Sequence, residues 1–196
     1  MPVHFATEPR NGAPLVHEGL SRLSRRRSPL SERGIDFGAL VVSGPLAVWD
    51  LRADAVASGG GLESAVFTGF RYLVEGGGGV PVAAAEVQVD TTGTATVLAN
   101  INYGQFVGAT ERALRNVAEL RPVTEGSYEV QFLRCAAIAV VALWLKSDSD
   151  GADFVYPLEP APGLQAENPY SAGDFVQAIL PLARRRAAGI GETTLS

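Results

Sequence analysis

Lysine, cysteine and histidine are almost missing from this chain of 196 residues. Lys146 is the only lysine, Cys135 the only cysteine, and His4 and His17 the only histidines. A single cysteine excludes an internal disulfide and fits a reducing compartment. Two histidines near the start leave any zinc site dependent on carboxylates, and Glu18 beside His17 is the only adjacent one. Arginine supplies nearly all the positive charge, which we read as compositional bias. The formal charge of −5 argues against nucleic acid as the main partner, because phosphate binding needs clustered cations. No apolar run reaches the roughly 18–20 residues of a membrane helix. The first fifteen residues contain His4, Glu8 and Arg10 and lack the apolar core of a secretion signal. Ser24-Arg25-Arg26-Arg27 resembles a twin-arginine export signal only superficially, since Ser31, Glu32, Arg33 and Asp36 follow it. The expectation is a cytoplasmic protein without membrane contact.

What is present is the composition of a folded domain. Hydrophobic residues make up 46% and charged residues 19%, so the chain can bury a core and is not of the disordered class. The longest apolar run is Cys135 to Leu145, closed by Arg134 and Lys146. We read it as one strand buried on both faces. A turn-forming cluster, Ser147 to Ala152, and a second β-rich run, Phe154 to Leu158, follow it. That order signals a hairpin. A six-residue loop sets Leu145 opposite Phe154, Leu143 opposite Tyr156 and Val141 opposite Leu158, large side chain against large. Pro157 cannot donate to a ladder, which places its strand at a sheet edge.

Met1 to Pro14 reads as an extended arm, and Leu15 to Arg27 as a short basic helix with Val16, Leu20 and Leu23 on one face. Strands are expected around Leu46–Leu51 and Ala65–Val74. Gly76 to Gly79 is followed by Val80-Pro81 and not by the Lys-Ser/Thr of a phosphate loop, so a hairpin loop is expected there. Val82 to Tyr103 alternates as a hairpin. A three-residue loop, Thr91-Thr92-Gly93, pairs Val89 with Ala95 and Gln88 with Thr96 and keeps the apolar positions on one face. Its other face would carry Glu86, Gln88, Asp90, Thr94, Thr96, Asn100 and Asn102. Helix Gln105–Leu120 follows, with Gly108 inside it suggesting close backbone packing, and Arg121-Pro122 stops it. Ser171, with Asp174 three residues on and Tyr170 facing Phe175, opens a helix to Arg186. Pro181 should kink or shorten that helix. The tail from Gly189 should fray.

Candidate chemistry is thin. Asp148, Asp150 and Asp153 surround Gly151, but the glycine sits at the wrong position for a calcium loop. Cys135 begins the most apolar run, which favours burial over nucleophilic use. A Ser-His-Asp site would have to recruit His4 or His17, and no G-x-S-x-G elbow accompanies them. Glu86 and Asp90 would stand about 13 Å apart on one strand face, too far for paired glycosidase carboxylates. No catalytic residue, metal ligand or cofactor is predicted.

The predicted fold is α+β, with an antiparallel sheet of about six or seven strands and two main helices, Gln105–Leu120 and Ser171–Arg186. Residues 1–30 form the arm and 31–196 one domain. The expected function is a non-catalytic binding or assembly module, acting on a protein partner or on itself. Its candidate surface is Glu86, Gln88, Asn100, Asn102, Arg25, Arg26 and Arg27. The alternative is a small hydrolase or transferase with a cleft beside the central helix.

Overall fold

The computed structural model describes residues 3–149 and 151–189. In chain order the elements are β1 (Val3–Phe5), α1 (Gly12–Ser24), α2 (Pro29–Glu32), β2 (Val41–Asp50), α3 (Ala53–Ala57), β3 (Val66–Glu75), β4 (Pro81–Val89), β5 (Ala95–Asn102), α4 (Phe106–Glu119), α5 (Arg121–Thr124), β6 (Tyr128–Cys135), β7 (Val140–Ser147), β8 (Phe154–Pro157), β9 (Tyr170–Ser171) and α6 (Ala172–Ala187). The fold is α+β. The strands belong to a mixed sheet of nine, larger than the six or seven antiparallel strands expected. Among the described residues three helices exceed seven residues, because α1 joins the two anticipated ones. Contacts group the chain into two compact units. One holds the residues through His4, Val48–Phe67 and Ala113 onward; the other holds Phe5–Ala47 and Thr68–Arg112.

The first unit is built on the antiparallel order β6-β7-β8-β9. The expected register of β7 on β8 is observed: Leu143 faces Tyr156 and Leu145 faces Phe154, and the Leu158 N–H donates to the Val141 carbonyl at 2.8 Å. Asp153 fastens the connecting loop. Its carboxylate accepts from the Ser147 N–H and from the Trp144 indole N–H, both at 2.9 Å. The two-residue strand β9 covers only Phe154 and Val155, so Pro157 lies beyond its reach and the missing donor costs nothing there.

The apolar run is not a single strand. Ala136–Ile138 form a 3₁₀ turn, and Ala139 completes it in the left-handed conformation at φ 55°. β6 and β7 therefore pair as a hairpin, from Cys135 opposite Val140 to Tyr128 opposite Ser147. Four small or β-branched apolar residues carry none of the usual turn chemistry, which is why the sequence pattern hides this turn. Ala136 and Ala137 are exposed, whereas Ala142 to Leu145 are buried. The α-helix α6 packs Phe175, Ile179 and Ala183 onto Leu133, Cys135, Ala142 and Trp144. Ser171 caps it as expected, accepting the Asp174 N–H at 3.1 Å. Pro181 does not shorten it, and the helix runs on to Ala187.

The second unit has the order β3-β4-β5. The glycine loop closes a hairpin, with the Gly76 N–H on the Val80 carbonyl at 2.8 Å. Gly69, at φ 146°, lets β3 approach β4. A Cβ there would lie 2.2 Å from the Val87 carbonyl oxygen. Helix α1 lies against β4 and β5, with Val16 and Leu20 buried beside Tyr72, Val74, Ala83 and Ala85. The segment before it is tied down. Arg10 bridges to Thr94, its carbonyl accepting the Ala95 N–H at 2.8 Å and its guanidinium donating to the Thr92 carbonyl at 2.8 Å. Gly108 in α4 is not a close-packing position, since the nearest atom to an added Cβ is the Arg112 guanidinium at 3.7 Å. The expected frayed tail falls mostly on residues 190–196, outside the described residues.

Two outcomes test this account. Trp144→Ala should lower unfolding free energy by about 3–5 kcal/mol in urea titration; a loss below about 1 kcal/mol would contradict its placement in the core. Ala139→Gly relieves a left-handed alanine and should raise stability by about 0.5–1 kcal/mol, whereas a loss would contradict the turn between β6 and β7.

Candidate functional site

The hairpin β4–β5 and helix α1 carry the residues expected to form a partner surface. The first pair of the hairpin is as predicted, Val89 opposite Ala95. The register then shifts twice. Gln88 faces Val97, Val87 faces Leu98 and Glu86 faces Asn100. Thr96 and Ala99 are the extra residues, so strict alternation along β5 is lost. Asp90 holds the turn by accepting from the Thr92 hydroxyl, the Thr92 N–H and the Thr94 N–H. Those bonds, the Thr92 hydroxyl first, keep its carboxyl below the ordinary range.

Glu86 is not part of an outward polar face. It is buried, and Arg71 Nη1 donates to its Oε1 at 2.6 Å. The expectation of a solvated face assumed that β4 exposes one side. β4 instead lies between β3 and β5, and every residue from Ala83 to Val87 is buried. The remaining expected residues stay at the surface: Gln88 and Asn100 are exposed and Asn102 is half-buried. Asn100 donates to the Asn102 side chain at 3.0 Å. Arg27 is exposed and pairs with Glu32 at 2.7 Å.

Arg25 and Arg26 are brought to β5. A groove of about 880 Å³ runs between α1 and β5, with Leu15, Leu23, Val97, Leu98 and Ile101 on its walls and Arg22, Arg25 and Arg26 at its rim. Val97 is 48% exposed. Close approach of α1 to β5 depends on Gly19, where a Cβ would fall 2.1 Å from Leu98 Cδ2. Glu18 pairs with Arg22 at 2.5 Å. Arg25 and Arg26 make no side-chain ion pair or hydrogen bond among the described residues. They follow the last turn of α1, where the helix dipole favours cations. The apolar walls were missed in the sequence. The one available signal was Leu98, an apolar residue in the row otherwise read as polar.

No family model matches the chain, nor does any curated protein or solved structure.

The candidate reactive groups are committed to structure. Cys135 is buried, and burial pushes its thiol up to about 11, which removes the thiolate a nucleophile needs. His4 does meet a carboxylate, with Nε2 at 2.9 and 3.0 Å from Asp148. Ser127 donates its hydroxyl proton to that same Asp148 carboxylate. In this order the serine hydroxyl donates to the aspartate and not to the imidazole, which is not the serine-to-imidazole hydrogen bond of a triad. The Ser127 hydroxyl first, then His4, hold the Asp148 carboxyl below its usual range. Asp153 is engaged by Trp144 and Ser147, and Asp150 lies outside the described residues. Among the described residues no cluster of three or more His, Cys, Asp or Glu could hold a metal ion. No helix among them is long and apolar enough to cross a membrane.

The buried pair in β3 and β4 gives a direct check. Glu86→Ala removes the carboxylate bonded to the buried Arg71 and should cost about 3–5 kcal/mol of stability in chemical denaturation. A cost below about 1 kcal/mol would mean that Glu86 stands in water, as the alternation alone suggested.

Proposed function

We propose that the chain is a non-catalytic binding module whose α1–β5 groove takes a protein segment bearing both acidic and apolar side chains. The observation that carries this reading is the local charge of the groove. The chain as a whole has a formal charge of −5, yet this groove is rimmed by three arginines against the single carboxylate of Glu18. Acidic side chains would find guanidinium groups at the rim, while apolar ones would cover Val97, Leu98 and Leu23. Rim charges steer encounter and orient the partner, and the apolar floor supplies the buried area. Beyond Ala95, whose N–H bonds to the Arg10 carbonyl, β5 has no strand neighbour opposite β4 among the described residues. An extended segment could add to the rest of that edge through main-chain hydrogen bonds.

The test uses a fluorescein-labelled decapeptide of alternating leucine and glutamate. Anisotropy titration should show saturable binding that weakens as salt is raised. Replacing both rim residues, Arg25→Glu with Arg26→Glu, should weaken it by about tenfold, or about 1.4 kcal/mol, without changing the melting temperature. A peptide of leucine and glutamine should bind far more weakly than the acidic one. Equal binding of the acidic peptide by the charge-reversed and parent proteins, or no binding at all, would defeat the proposal. Native mass measurement of both proteins separates a foreign segment from a second copy of the chain, since only the latter changes the mass of the unliganded particle.

A further inference from the structure

A second hollow lies in the other unit. It measures about 430 Å³. Three backbone features converge on it: the end of β2 running into α3, the 3₁₀ turn between β6 and β7, and the last turn of α6. Alanines keep its walls short. Ala53 is buried, while Ala136, Ala137 and Ala187 are exposed and border water. Leu51 belongs to the lining too, and its N–H donates to the Arg134 carbonyl at 2.8 Å, which ties the end of β2 to β6.

The charged side chains of the lining are already engaged. The Arg134 guanidinium binds the Asp50 carboxylate through Nε and Nη2. Arg52 holds Asp54 through Nε and Nη2 as well, at 3.0 and 2.5 Å. The Arg52 side chain holds the Asp54 carboxyl down to about 2, so that pair keeps both its charges at ordinary pH. Arg186 has an interaction of its own. An ionic ligand would therefore have to share or break an existing contact, and a charge drawn from water without a partner is costly. A carboxylate on Arg52 would also stand beside Asp54, and an ammonium would meet the arginines. A neutral molecule avoids both costs. Nη1 of Arg52 makes no bond among the described residues, so it can donate to a neutral carbonyl oxygen while Asp54 stays in place. A cavity of this size, walled by apolar side chains with a few polar groups, is the usual form of a small-molecule site.

From these features we propose that the hollow between α3, the Ala136–Ala139 turn and α6 binds a small uncharged molecule, a compact apolar body carrying one carbonyl or amide group. The apolar body covers the alanines, and the carbonyl oxygen accepts from Arg52. The two ion pairs stay intact and select against charged molecules of the same shape. This site is independent of the α1–β5 groove and does not rest on the function proposed for it.

The experiment titrates the full chain with three molecules of one shape and different charge: benzamide, benzoate and benzamidinium. Amide chemical shifts locate and quantify the binding. Benzamide should bind saturably and shift the amides of residues 134 to 139. Benzoate and benzamidinium should each bind at least tenfold more weakly. Ala137→Phe fills the hollow from an exposed turn position, so it should leave the melting temperature within a few degrees and weaken benzamide binding at least tenfold. Arg52→Gln takes the cation away from Asp54 at the surface, so it should strengthen benzamidinium binding severalfold. The proposal is overturned if benzamide does not bind or shifts other amides instead. It is also overturned if either charged molecule binds as tightly as benzamide, if the folded Ala137→Phe protein binds benzamide as well as the parent, or if Arg52→Gln leaves benzamidinium binding unchanged.

Discussion

Burial of β7 on both faces is the constraint that the first unit depends on. From Ala142 to Leu145 every side chain is buried, so each must meet an apolar neighbour on its own side of the sheet. That requirement fixes the register against β6 on one flank and β8 on the other, since a slip of one residue would exchange the two faces. The loops then follow. Asp153 holds the loop on one side by taking the Trp144 indole proton, and the left-handed Ala139 closes the turn on the other. Helix α6 packs its apolar stripe of Phe175, Ile179 and Ala183 into the core that this sheet face shares with Ala53 and Val56 of α3.

Charge is distributed in a way that explains the absence of a legible catalytic pattern. Most of the informative carboxylates accept bonds from their own surroundings. Asp90 holds a hairpin turn, Asp148 gathers Ser127 and His4, Asp153 fastens a loop, and Glu86 neutralises a buried arginine. A carboxylate committed in this way is fixed in place by its own donors and ties neighbouring segments together. Arg25 and Arg26 follow the end of α1 beside an apolar groove, and Arg52, Arg134 and Arg186 ring a hollow walled by alanine. Both places set cationic groups beside apolar surface.

Several elements are legible in the sequence alone. The β7–β8 register, the Ser171 cap, the helix from Phe106 to Glu119 and the turn at Gly93 all follow from local signals. These are turn formers between apolar runs, a serine three residues before an aspartate, apolar spacing near 3.6, and a glycine at positive φ. The failures share a different cause. The turn at Ala136–Ala139 has no glycine, asparagine or proline, so nothing in its composition marks it. The bulges at Thr96 and Ala99 break an alternation that looks unbroken in the sequence. Glu86 reads as a surface residue until Arg71 is placed beside it from another strand.

The amino-acid sequence by itself determined the class of the protein, the type and approximate limits of most elements, and which residues had to be buried. It could do so because periodicity, capping and turn formation act over a few neighbouring residues. Only the tertiary structure decided how many strands the sheet holds, that β4 is buried on both faces, and that arginines distant in sequence from their apolar neighbours share a groove or a hollow with them. Those outcomes depend on contacts between segments tens of residues apart, and the energy of such contacts is written in no local pattern.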